Sequence, residues 1–278
     1  MQSRMLSWFW YSNLHIVAVA SALLLGTHAL AGQKLSAWYL LLACSGVLLI
    51  YHVDRAFLRS NEDVRNAPER LQWYETHRAY LFGSSAIAIV CGIVAALQLP
   101  LPILAYGAVI GALGVLYSVP QRAGGRRLKD IPLVKNLLIL TCWVGGVVVI
   151  PLYGDISPKL LGLLATYRVL YLIPNLLVAD WVDAPGDVTK GEASQRRKAI
   201  QKGITVYLRL AVPLVGLITL MLISAGISWH LVLIDVMGLI GLVWILVRHA
   251  EWTPKHVVMM DFCIGISMVT WLFWILLG

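Results

Sequence analysis

The sequence predicts an all-α integral membrane protein, a single domain over residues 1–278 with nine membrane-spanning helices. Three observations carry this. Hydrophobic residues make up 59% of the chain and charged residues 13%, with a mean hydropathy of +0.79. An aqueous globule of this size cannot hide so much apolar surface, so the solvent is a bilayer. Apolar runs of about 19 residues recur along the whole chain, and the charges between them gather in alternate connections.

The expected spans lie near 8–30, 36–57, 79–99, 101–120, 134–153, 158–180, 204–226, 228–248 and 256–277. At 1.5 Å rise per residue, each can cross a hydrocarbon core of about 30 Å, and backbone groups deprived of water must then bond within a helix. The first run follows one early Arg4 and has no small-residue cleavage site, so it reads as a retained span. Short turns (LAGQKLSA, QLPLP, YGDISPK, AGISW) follow spans 1, 3, 5 and 7, whereas longer charged connections follow spans 2, 4 and 6. Cys44, Cys91, Cys142 and Cys263 sit in apolar stretches without metal-ligand spacing and read as small core residues.

Charge orients the bundle. With the N-terminus cytoplasmic, the inner side collects 19 of the 22 Lys and Arg, leaving Lys34 and Lys159 outside and Arg168 within span 6. That asymmetry predicts a cytoplasmic N-terminus and an outer C-terminus, in the manner of a multi-pass bacterial inner-membrane protein. The net charge of +8 then implies membrane lipid as the partner and requires no nucleic acid.

Topology does not account for the acids in VADWVDAPGDVTKG, residues 178–191. Asp180, Asp183 and Asp187 stand at i, i+3 and i+7, on one face if the helix continues past Asp180, with Pro185-Gly186 expected to end it near the third acid. Three carboxylates on one stripe repel one another and call for a hard cation such as Mg²⁺. Residues 116–136, LYSVPQRAGGRRLKDIPLVKN, add Arg122, Arg126, Arg127, Lys129 and Lys135. Cations beside a carboxylate-held metal are what a diphosphate requires, although GGRR lacks the spacing of a phosphate loop.

On these residues the chain resembles the UbiA-type intramembrane prenyltransferases. DWVDAPGDVTKG is similar to their second aspartate-rich motif, DxxDxxGD, and YSVPQR with RLKDIPLVKN resembles their segment between spans 4 and 5. The resemblance covers the whole chain. It implies nine helices around a central cavity open to the cytoplasm, with Mg²⁺ held by acids at the inner ends of spans 2 and 6. It also implies transfer of a prenyl group from an isoprenoid diphosphate to an apolar, often aromatic, quinone- or pigment-like acceptor. Metal ligands would be Asp54, Asp180, Asp183 and Asp187, with Arg122, Arg126, Lys129, Lys135 and Lys190 on the diphosphate. A terpene cyclase of the same fold, or a non-catalytic lipid-binding or transport protein, are the alternatives.

The first motif departs from the family pattern NDxxDxxxD. In IYHVDRAFL only Asp54 remains, with Ile50, Tyr51 and Leu58 where Asn and two Asp are expected. Asn61, Glu62 and Asp63 are possible displaced ligands, or a surface loop of mixed charge; His52 is either a metal ligand or a hydrogen-bonded helix-end histidine. Within span 6, Arg168 reads as a cavity residue or as a hydrogen-bonding partner between helices, with Asn175 on the same face and Pro174 expected to kink the helix. Tyr51, Tyr117 and Tyr171 are further cavity candidates, while Trp8, Trp38, Trp229, Trp252 and Trp274 read as interfacial anchors.

Overall fold

The computed structural model describes residues 4–57, 68–119, 128, 131–187, 190–249 and 251–277. Among them there is no β-strand; an isolated bridge joins Tyr153 and Ile156. The helices are α1 Arg4–Tyr11, α2 Leu14–Ala31, α3 Ala37–His52, α4 Pro68–Thr76, α5 Arg78–Ala96, α6 Leu101–Ser118 and α7 Pro132–Val144, followed by α8 Pro158–Asp187, α9 Lys190–Val206, α10 Val212–Ser224, α11 Trp229–Arg248, α12 Pro254–Gly265 and α13 Ser267–Leu277. Three π-turns interrupt them, at Val53–Phe57, Gly145–Val149 and Tyr207–Ala211. The last two stand just before Pro151 and Pro213, where a missing N–H disturbs the i→i−4 ladder.

Eight helical stretches among the described residues are long and apolar enough to cross a membrane, which makes this an all-α membrane protein. The expected fourth span is an apolar helix at Leu101–Tyr117, shorter than the eight. The expected first span breaks in two: Ser12 and Asn13 separate α1 from α2, and Asn13 takes φ +62°, a left-handed conformation that Asn tolerates better than most side chains. Three short turns expected between spans each contain a glycine at positive φ, at Gly32, Gly154 and Gly226. Large apolar side chains such as Phe82, Ile87 and Val90 of α5 are exposed, a surface that only lipid would solvate favourably.

The chain forms two compact units, residues 1–21 with 36–146, and residues 22–35 with 147–278. In the first, α3 packs along α5, and Gly114 of α6 admits the Ile50 side chain of α3. Trp8, expected as an interfacial anchor, meets Trp73, His77 and Tyr80 edge-on at 4.8–5.1 Å.

The second unit gathers α8 to α13 and the end of α2. Gly238 and Gly241 of α11 leave room for Tyr171 and for Cys263 of α12, since a Cβ at either would collide with them. α8 runs for 30 residues without interruption at Pro174. The proline cannot donate to the Leu170 carbonyl one turn back, and the Tyr207 hydroxyl does so in its place at 2.8 Å.

Candidate functional site

The continuity of α8 fixes the acid register. Helix covers Asp180, Asp183 and Asp187 and runs through Pro185-Gly186, so the three positions fall within an arc of about 60°. Asp180 is buried and Asp183 half-buried; the side chain of Asp187 lies outside the described residues. Beside them α9 packs against α8. Arg196 Nη2 stands 3.7 Å from Asp180 Oδ1, an ion pair longer than the roughly 3.2 Å limit of a good N–H···O bond. Arg197 lays its guanidinium over Trp181 at 5.0 Å, and its buried Nε has no hydrogen-bond partner among the described residues. Trp181 in turn meets Trp252 edge-on at 5.1 Å.

This arrangement places Asp180 and Asp183 on one stretch of α8, with Arg196 paired to Asp180 and Arg197 seated on the intervening Trp181. Among the described residues no three His, Cys, Asp or Glu side chains come together as a metal cluster. Two carboxylates are nonetheless a donor set that fits Mg²⁺, which is commonly held by one or two carboxylates and completed by water and phosphate oxygens.

In the other unit, Asp54 lies in the π-turn that continues α3 and is half-buried. Its neighbour His52 is fully buried, with Nδ1 2.9 Å from Ser85 Oγ and Nε2 3.3 Å from the Ser12 carbonyl. A carbonyl only accepts, so Nε2 carries the hydrogen and Nδ1 accepts from the serine. Both ring nitrogens are thereby occupied, which is the hydrogen-bonded role and leaves no lone pair for a metal. Arg55 lies over the Tyr51 ring at 4.7 Å and donates to Asn13 Oδ1 at 3.4 Å, so Tyr51 serves as a platform for a cation of its own helix. Lys135 is half-buried on the first turn of α7, and Tyr117 half-buried on the last turn of α6. Arg122, Arg126, Lys129, Asn61, Glu62 and Asp63 lie outside the described residues, as does the side chain of Lys190 at the start of α9.

Arg168 takes the second of its two expected roles. Its guanidinium is 1% exposed and bonds Asp235 of α11 through Nη1 at 2.7 Å and Nη2 at 3.2 Å, with Nε on Thr27 Oγ1 at 2.9 Å. Asp235, fully buried, also accepts from Tyr167, Ser267 and Thr270. Tyr171 is fully buried too, its hydroxyl donating to the Cys263 carbonyl at 3.1 Å. Asn175 donates to Asp261 Oδ1 of α12 at 2.8 Å. The expectation that Arg168 and Asn175 share the face leading to the acids is corrected by the unbroken helix: the acids lie about 60–140° further round, and the polar face of 168 and 175 turns to α11, α12 and α13.

No family model, no curated protein and no solved structure matches this chain.

Several residues of this end escaped sequence reasoning. Arg196 and Arg197 were absorbed into the inner-side charge, and Trp252 was read as an anchor; only the packing of α9 and of the turn before α12 brings them to the acids. Asp235 and Asp261 did carry a signal, since an acid within an apolar span requires a partner.

Proposed function

We propose that the protein transfers a prenyl group from an isoprenoid diphosphate to an apolar, aromatic acceptor in a Mg²⁺-dependent reaction. One observation supports this reading above the others: α8 leaves its apolar span as unbroken helix, carrying Asp180 and Asp183 on one face beside Arg196 and Arg197. A greasy chain dissolves only in the bilayer while its diphosphate needs cations and water, and a charged helix end at the membrane boundary offers both.

In this reading Asp180 and Asp183, with Asp187 and with Asp54 of the first motif, are the Mg²⁺ ligands. Bound there, the metal would neutralise diphosphate oxygens and make the diphosphate a better leaving group. Arg197 supplies the buried N–H for a phosphate oxygen, and its seat on Trp181 holds the fork in place. Arg196 balances Asp180 until substrate and metal arrive. Arg122, Arg126, Lys129, Lys135 and Lys190 complete the basic surroundings. The reading includes nine spans, with α6 as the fourth, a cytoplasmic N-terminus and an outer C-terminus. Cysteines placed at 65, 127 and 197 should then react only with reagents that reach the inner side.

The decisive assay is Mg²⁺-dependent release of diphosphate from prenyl diphosphates by the purified protein in lipid, wild type against Asp183→Ala. Release by the wild type and its loss in a variant that melts normally is the expected result. Equal turnover would make the acids a solvated helix end. A wild type inert with every donor and acceptor tried would replace transfer by lipid binding, and a cyclic hydrocarbon product would replace it by cyclisation.

A further inference from the structure

The turn that seats Trp252 against Trp181 is built around a histidine where a non-titrating group would suffice. Thr253-Pro254-Lys255-His256 opens α12 as a capping box: Thr253 is the extended N-cap residue at φ −121°, proline takes the first helical position, and His256 stands third, where Glu or Gln usually stands. The Thr253 N–H donates to His256 Nδ1 at 2.9 Å, Thr253 Oγ1 lies 3.1 Å from the same nitrogen, and the His256 N–H donates to the Thr253 carbonyl at 2.9 Å. An imidazole accepts in this way only while neutral. Once protonated, Nδ1 carries a hydrogen and cannot accept, and a positive charge faces a helix N-terminus that is itself the positive end of the macrodipole. The His249 ring lies 4.1 Å from that of His256. The other charged groups on α12 and the segments packed on it include Arg248, held over Trp244, Glu251, Lys255, the Asp180 and Asp183 carboxylates of α8, Asp261 bonded to Asn175, and the Arg168–Asp235 pair.

The capping box connects directly to the acid end of α8. Trp252, the residue before the cap, is buried, its indole N–H aimed at the Ile245 carbonyl at 3.5 Å and its ring against Trp181. Trp181 follows Asp180 in sequence and carries Arg197 on its face. We propose that His256 forms a pH-sensitive latch, closed while its ring is neutral and opened by its protonation, that sets how firmly Trp252 holds the Trp181 end of α8. The sign is fixed by the direction of the Thr253 bond: the latch is closed at higher pH and opens as pH falls through the range in which histidines titrate. The latch stands independently of the transfer reaction.

Hydrogen exchange on the full-length protein in lipid nanodiscs, compared at pH 8 and pH 5.5, tests it. His256→Gln keeps an acceptor that cannot titrate, so it corrects for the pH dependence of the chemical exchange rate. At pH 8 wild type and His256→Gln should exchange alike over residues 253–257. At pH 5.5 wild type should exchange about five-fold faster, the scale of a lost N-cap, while His256→Ala should be fast at both. Residues 181–184 should follow the same pattern. Wild type tracking His256→Gln at both pH values would overturn the latch. A change confined to 253–257 would overturn its hold on α8.

Discussion

Helix α8 carries two ion pairs twelve residues apart, about 18 Å at 1.5 Å per residue, and they are built on opposite plans. Deep in the span, Arg168 and Asp235 meet in two-point geometry, and Thr27, Tyr167, Ser267 and Thr270 satisfy the remaining donors and lone pairs. At the charged end, Arg196 approaches Asp180 from 3.7 Å, and the buried N–H of the adjacent Arg197 has no hydrogen-bond partner among the described residues. A charge in an apolar interior is tolerated only when its partners are complete, so the deep pair is scaffold, tying α2, α11 and α13 to α8. The Arg196–Asp180 approach is longer than the Arg168–Asp235 bonds and joins α8 to α9, its neighbour in sequence, rather than to distant helices.

The largest way to break that contrast is Asp235→Ala. It strands the Arg168 guanidinium among apolar helices and should cost about 3 kcal/mol or more of stability, read as a fall in the melting temperature in lipid or detergent. Replacing both partners, Arg168→Met with Asp235→Leu, should recover much of the loss, because no charge is then left unpaired. A normal melt for Asp235→Ala alone would show that the deep pair is not what holds these helices.

Asp180→Asn sharpens the other side of the comparison. Asp180 is buried, but its partner Arg196 is half-buried and 3.7 Å away, so losing this charge should cost less than stranding Arg168, about 1–3 kcal/mol. In the proposed reaction it removes a metal ligand, so diphosphate release should fall by about 10²-fold or more. Arg197→Gln should leave the melt unchanged and weaken donor binding by about ten-fold, the scale of one charge-assisted hydrogen bond. If Asp180→Asn destabilised as much as Asp235→Ala, the two pairs would be one kind of device and the acid end would be scaffold.

The helices were legible in the sequence because hydropathy over about 19 residues reports them directly. The one-face register of the acids followed from their spacing, while helix runs through Pro185-Gly186, where the pair suggested an end. What stayed hidden depends on how helices turn towards one another. Nothing local shows that Asn13 would take a left-handed conformation and split the first apolar run. Nor does any spacing show that Arg168 finds Asp235, 67 residues later. Arg196 and Arg197 looked like topology signals because their role depends on α9 folding back along α8. Pro174 promised a kink, and α8 continues through it because a side chain from a distant segment makes the bond that the proline cannot.

That substitution yields the smallest and most local prediction. The Leu170 carbonyl loses its helical donor at Pro174 and takes the Tyr207 hydroxyl at 2.8 Å instead. Tyr207 belongs to a π-turn, where the changed pitch re-aims a side chain relative to regular helix. Tyr207→Phe removes the hydroxyl, keeps the ring, and leaves a carbonyl unsatisfied in an apolar setting, which should cost about 0.6–1.5 kcal/mol. Pro174→Ala restores an N–H able to reach the same carbonyl. In that background Tyr207→Phe should cost clearly less, and the four melts form a double-mutant cycle whose coupling isolates the exchange of donors. Equal costs in the two backgrounds would mean that Tyr207 acts through packing alone, and that α8 passes Pro174 by some means other than the borrowed hydroxyl.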